Sequence, residues 1–261
     1  MSESGPGDVG FEFGIEHEVE VRVCGSADQT IAAAAGEVVE AARTAIAARG
    51  RFLFALSGGS TPRPLYERLA APPWREQVDW SRTHLLWSDE RCVPPEHPDS
   101  NYGMARAAFI DHVPIPARQV HRMRGEDDPA GAAAAYEQVV RELVGPPAAD
   151  VAPPGLDLVL LGLGADGHTA SLFPGRPAGQ ETARWVVADQ DPAGRPRLTL
   201  TPPALNAART VVFLVVGCGK AATLGAVLDG DRAPDRLPAQ RVAPRRGRLI
   251  WIVDAAAARQ L

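Results

Sequence analysis

Four segments carry side chains able to do chemistry, and each follows a short apolar run. In Leu56-Ser57-Gly58-Gly59-Ser60-Thr61-Pro62 two glycines let the backbone come close to a ligand, and three hydroxyls add donors. Thr61 reads as a helix N-cap with Pro62 at the first helical position, so free N–H groups and the helix dipole favour an anion. No Gly-Lys-Ser/Thr follows, which excludes a Walker loop. Taken alone, this segment is either a phosphate cradle or a tight, capped strand–helix turn.

The second segment is Trp87-Ser88-Asp89-Glu90-Arg91-Cys92, running on through a long loop to Ser100-Asn101-Tyr102. Three charges at the end of an apolar run are costly to bury unless paired or used. Arg91 suits a bidentate grip on phosphate. Asp89 either serves as acid or base or neutralises Arg91, and a surface ion pair ahead of a helix started by Ser100 is the structural alternative. Cys92 reads as a small loop residue.

Gly162, Gly164 and Gly167 form the third segment and spell GxGxxG after a strand, with Asp189 at the distance of a ribose-binding acid. Against a dinucleotide site, Pro174-Gly175 ends the following helix after roughly two turns, short of the dozen or so residues of a crossover. Asp166 and His168 also place a carboxylate and an imidazole where a pyrophosphate would lie. The better reading is a glycine-loosened strand end that delivers His168, and imidazole is the side chain best suited to general-base work at neutral pH. A capped, structural histidine is the competing reading. The fourth segment, Val216-Gly217-Cys218-Gly219-Lys220, holds the only lysine among 26 arginines, at a helix start after a Gly-x-Gly turn. There it adds a point charge to backbone donors for a phosphate. Cys218 has no neighbouring base and reads as inert.

These loops need strands to hold them. Apolar runs predict strands over Glu18–Val23, Arg51–Leu56, Thr83–Trp87, Leu156–Leu161, Trp185–Ala188, Val211–Val216 and Arg248–Val253. Between them lie helical stretches at Thr30–Arg49, Thr61–Leu69, Tyr102–Asp111, Pro129–Leu143 and Ala221–Leu228, and a loop from Gly145 to Pro154. Runs apolar throughout suit a sheet covered on both faces, and strand–helix alternation implies a mostly parallel α/β sheet with right-handed crossovers. Ligands in such folds bind beyond the carboxyl ends of strands, where all four segments lie.

The chain has 261 residues, 45% of them hydrophobic and 23% charged, enough for one sizeable α/β domain without a linker or repeat. Its net charge of −5 argues against nucleic acid, and the Arg241, Arg245, Arg246, Arg248 group reads as solvated. No apolar run is long enough to span a bilayer. Three scattered cysteines make no zinc spacing and no disulfide framework, and residues 1–14 form no leader, so a flexible tail on a cytoplasmic protein is expected.

Together and in this order, SGGSTP, SDERCVPPEHPDSNYG, LLGLGADGHTASLFPG and GCGK resemble the signature blocks of the 6-phosphogluconolactonase family, over most of the chain. The resemblance implies a single catalytic domain, residues 15–261, with a modified Rossmann-like three-layer α/β/α sandwich. It implies hydrolysis of 6-phospho-D-glucono-1,5-lactone with no obligatory cofactor. A lactone is an activated ester, so no metal is needed, and a monomer or weak homo-oligomer is expected. The resemblance assigns His168 as the base, with Ser57, Gly58, Gly59, Ser60, Thr61, Arg91 and Lys220 around the phosphate. Asp166, two residues from His168, is expected to orient it or stabilise its charge, and Asp89 and Asn101 are expected to contact the substrate. A sugar-phosphate isomerase or deaminase on the same fold and a non-catalytic sugar-phosphate sensor are the rivals. Deaminases of this fold carry a glutamate where this chain has Ser171-Leu172-Phe173, and residues before Glu18 cannot hold a helix-turn-helix.

Overall fold

The structure, a computed structural model, describes residues 8–10, 19–146 and 155–261. It begins with β1 (Asp8–Gly10), β2 (Val19–Cys24), α1 (Ala27–Arg49) and β3 (Phe52–Leu56). Next come α2 (Arg63–Ala70), α3 (Trp74–Gln77), β4 (Thr83–Trp87), β5 (Asp89–Arg91), α4 (Asn101–Ala108) and α5 (Pro129–Val144). The second half supplies β6 (Leu158–Leu161), β7 (Val186–Gln190), β8 (Pro196–Leu200) and α6 (Pro202–Leu205). It closes with β9 (Thr210–Val215), α7 (Ala221–Leu228) and β10 (Arg248–Asp254).

Local chemistry accounts for the longest helix. The Ser26 side chain accepts from the Gln29 N–H to start α1, and Gly50 ends it at φ 73°, a left-handed conformation that favours glycine. Ile31, Ala34, Ala35, Val38, Ala42 and Ala45 recur at helical spacing and form its buried stripe. Small alanines let α1 lie close across β2, β3, β9 and β10.

The sheet order is β1-β2-β10-β9-β6-β3-β4, parallel throughout except for β1, which pairs antiparallel with β2. Every residue of β3, β6 and β9 is buried, as strands covered on both faces require. Burying each of Phe52, Phe54 and Leu56 stabilises the fold by roughly 1.5–3 kcal/mol. Phe213 and Trp251, in register on β9 and β10, stack with ring centroids 3.8 Å apart. From β3 the chain moves outward to β4, and from β6 it moves the other way to β9, so a topological switch point falls between β3 and β6. In open α/β sheets the crevice beyond such a point receives ligands.

A second sheet, β5-β8-β7, is antiparallel and was not legible in the sequence. Trp185–Ala188 was expected to join the strand set of the main sheet; the strand there, β7, belongs to this smaller one. The charged Asp89–Arg91 stretch, expected to be a loop, is a strand because Ser88 carries the chain from one sheet to the other. Its N–H donates to Leu56 O, and its carbonyl accepts from Leu200 N, both at 2.8 Å.

Other expectations change. No helix follows Gly167; the segment to Gly175 consists of turns held by side chains. Thr61 caps nothing: α2 starts at Arg63 behind Pro62, with no side-chain cap. The C-terminal arginines are not simply solvated, since Arg248 pairs with Glu20 and Glu37, and Arg241 with Asp235. Of the expected flexible tail, Asp8–Gly10 is a strand, and the rest lies outside the described residues, as does most of the loop after Gly145. No helix among the described residues is long and apolar enough to cross a membrane.

Candidate active site

Loops from the carboxyl ends of β3, β6 and β9, together with β5 and the β7–β8 turn, enclose a cleft of about 450 Å³ at the switch point. It brings together Ser57 to Thr61, Asp89, Arg91, Asn101, His168 and Lys220, which lie up to 163 positions apart in the chain. Asp166 is the one expected residue that does not line it; it stands behind His168.

The loop after β3 is anchored from below. The Tyr66 hydroxyl of α2 donates to Ser57 O at 2.7 Å and accepts from Ser57 N at 2.9 Å. Burial pushes that phenol far above its ordinary range, so it stays protonated. Above the anchor, none of the N–H groups from Gly58 to Thr61 finds an acceptor among the described residues. Gly58 must be glycine, because a Cβ there would lie 1.7 Å from Asn101 Oδ1. The outcome is a rim of free backbone donors with hydroxyls on it, suited to an anion.

Glu90 is not at the surface. It is buried and accepts from Arg91 N, Asn101 N, Tyr102 N and Ser100 Oγ, so it ties β5 to the start of α4. Burial raises its pKa, and these donors pull the other way. Asp89 makes no ion pair with Arg91; Ser171 Oγ donates to its Oδ2 at 2.7 Å and Asn101 Nδ2 to its Oδ1 at 3.3 Å. Asn101 Nδ2 also donates to Asp89 O, which leaves Asn101 Oδ1 buried without a partner. Burial pushes the Cys92 thiol up to about 11, which rules it out as a thiolate nucleophile at neutral pH.

The loop after β6 is built around His168. Its Nδ1 is 2.5 Å from Asp166 Oδ1, and its ring lies against Phe173 with centroids 4.7 Å apart. The bond to His168 is the main cause holding the Asp166 carboxyl below its ordinary range, so that group is ionised at neutral pH. Gly164 gives the imidazole its seat, since a Cβ there would come within 2.0 Å of His168 Nδ1. Gly167 turns at φ 80° and Ala170, a non-glycine, at φ 47°. That strained residue sits between two anchors, Thr169 Oγ1 on Gly162 O and Ser171 Oγ on Asp89, which over-determine its conformation. With Nδ1 engaged, Nε2 is the nitrogen left to work in the cleft.

Two arginines of the cleft were missed by the sequence reading. Arg197 on β8 is directly opposite Arg91 on β5, an arrangement of like charges that destabilises a sheet unless anions compensate. Asp191 supplies one anion, accepting from Arg197 Nη2 at 2.8 Å and from Arg195 Nε at 2.7 Å. Buried Arg197 nevertheless keeps an Nε without a partner. The only signal was RPRLTL, whose proline and arginines hid a strand. Asp189, at the spacing of a ribose-binding acid, accepts from Arg176 Nη2 and Ala178 N, in line with the reading against a dinucleotide site. Among the described residues no three His, Cys, Asp or Glu side chains gather to hold a metal ion.

A family model described as glucosamine-6-phosphate isomerases/6-phosphogluconolactonase matches residues 25–251. The chain belongs to this family. A 6-phosphogluconolactonase of Nostoc sp. is 44% identical over 220 residues, 84% of this chain and 88% of the relative. The 6-phosphogluconolactonase of Mycobacterium tuberculosis is 41% identical over 248 residues, 92% and 98% of the two chains. The solved 6-phosphogluconolactonase from Trypanosoma cruzi superimposes with a TM-score of 0.81 at 30% identity, covering 92% of this chain and 96% of its own. The expected family and its α/β fold are thereby met.

Proposed function

We propose that this protein hydrolyses 6-phospho-D-glucono-1,5-lactone to 6-phosphogluconate, as a phosphate-anchored lactonase with His168 as general base. The observation that carries the reading is the Asp166–His168 pair opening onto a cleft that Arg91, Arg197, Lys220 and free N–H groups also line. A sugar lactone is an activated ester, so its hydrolysis needs a base and oxyanion stabilisation rather than a covalent nucleophile.

With its Nδ1 proton directed to Asp166, His168 presents an unprotonated Nε2 to a water molecule. The water oxygen adds to C1 while Nε2 takes its proton, and the Asp166 carboxylate stabilises the resulting imidazolium. The tetrahedral oxyanion then collapses, the C1–O5 bond breaks, and His168 returns the proton to O5. General-base assistance of this kind contributes about 10²- to 10⁴-fold. Lys220, Arg91 and Arg197 hold the phosphate, while Asp89, itself fixed by Asn101 and Ser171, accepts from a sugar hydroxyl.

The family name also covers glucosamine-6-phosphate isomerases. In this chain the segment after His168, Ser171-Leu172-Phe173, carries no carboxylate and lays the Phe173 ring against the imidazole, which favours hydrolysis over enolisation. Purified protein incubated with freshly made lactone, with 6-phosphogluconate followed by a coupled dehydrogenase, tests the proposal. A rate no greater than spontaneous hydrolysis, or ammonia release from glucosamine 6-phosphate, would overturn it.

A further inference from the structure

Lys220 reaches the cleft, yet no side chain among the described residues accepts a hydrogen bond from its ammonium. Its placement therefore depends on the backbone that carries it. That backbone leaves β9, turns at Gly217 with φ 99°, and forms a single 3₁₀ turn over Cys218–Lys220, closed by Lys220 N donating to Gly217 O at 3.0 Å. Gly217 is thus the residue on which the lysine's position turns.

Gly217 is held from outside the cleft. On the neighbouring parallel strand, β10 ends in Asp254, which is 5% exposed and has no cationic partner among the described residues. Its carboxylate accepts from Gly217 N, at 3.0 Å to Oδ1 and 3.1 Å to Oδ2, and from Ala257 N at 2.8 Å to Oδ1. A carboxylate buried without a counter-ion is unfavourable unless donors compensate it, and charge-assisted bonds to N–H groups are strong ones. We infer that Asp254 is a positioning residue for substrate binding: it clasps the ends of β9 and β10 and so sets where Lys220 meets the phosphate. The inference rests on the reading of Lys220 as a phosphate ligand.

Steady-state kinetics on the phosphorylated lactone test it, because KM does not depend on the fraction of folded enzyme in a preparation. Lys220→Ala should raise KM about ten- to hundredfold, as loss of a charge-assisted contact does. Asp254→Ala should raise KM roughly tenfold with kcat within about threefold, and should add little in the Lys220→Ala background, since coupled residues are non-additive. Asp254→Asn keeps an acceptor at Oδ1 for both N–H groups and should return KM to within about threefold of wild type. Gly217→Ala strains the same turn with Asp254 intact and should also raise KM, which keeps the inference testable where Asp254→Ala does not fold. Wild-type KM in Asp254→Ala and Gly217→Ala, full additivity with Lys220→Ala, or an Asp254→Asn enzyme as impaired as the alanine variant would each overturn it. Wild-type KM in Lys220→Ala would instead remove the phosphate reading itself.

Discussion

Gly164→Ala is the sharpest test of how the base is held. A methyl group on Gly164 would lie 2.0 Å from His168 Nδ1, 2.3 Å from its Cε1 and 2.6 Å from Asp166 Oδ1. Ordinary contact begins near 3.4 Å, so the ring must retreat by about 1.4 Å, and the Phe173 ring, with centroids 4.7 Å apart, limits where it can go. A misplacement of about 1 Å costs on the order of 100-fold when geometry sets the rate, or about 2.7 kcal/mol of barrier. The variant should therefore lose about 100-fold in kcat while KM, set by the phosphate end of the cleft, stays within about threefold. Gly164 does not occupy a left-handed conformation, so the backbone accepts alanine and thermal melts should remain cooperative. Gly162→Ala serves as comparison, because its Cβ would first meet Ser57 Oγ at 4.0 Å; it should retain at least about tenfold more turnover than Gly164→Ala. Initial rates at saturating lactone, corrected for spontaneous opening, give the answer. A Gly164→Ala enzyme with wild-type kcat would show that the imidazole need not sit where it does, and the argument from its seat against Gly164 would fail.

Three further expectations follow from the same geometry. His168→Ala should lower kcat by about 10²- to 10⁴-fold with product affinity retained, and Asp166→Asn should follow it part of the way by losing the anion that fixes the tautomer; unchanged rates in either would contradict the pair. Arg197→Gln should weaken 6-phosphogluconate binding by about tenfold or more, although the residue lies outside the signature motifs in the sequence, and isothermal titration checks this. Outside the cleft, His84 Nδ1 and His121 Nε2 are 3.0 Å apart, and burial is the main cause pushing His121 down to about 4. An unfolded chain takes up that proton near pH 6.5 and the folded one only near 4, so stability from this site is complete above 6.5 and is lost as pH falls between the two values. His121 is only half buried, so solvent screening reduces the effect to about 1 kcal/mol. His121→Gln should flatten the fall in melting temperature over that interval, and an unaltered slope would place the acid sensitivity elsewhere.

What the sequence determined by itself was local. The unbroken apolar runs of β3 and β6 could be read as buried parallel strands because burial on both faces forbids polar positions. Ser57 to Thr61, His168 and Lys220 could be placed at strand ends because glycine beside such a run has few other uses, and the four motifs in order identified the family before any coordinates. Tertiary structure decided the rest, since convergence depends on strand order and register rather than on distance along the chain. Nothing in RPRLTL says that Arg197 faces Arg91 across a second sheet; that follows from Ser88 handing the chain from Leu56 to Leu200. Asp166 and His168 were visible as neighbours, but the fit of the imidazole against Gly164 and Phe173 arises only when the loop closes. The clasp of Asp254 on Gly217 joins residues 37 positions apart, because β9 and β10 lie side by side and each ends where the other can reach it.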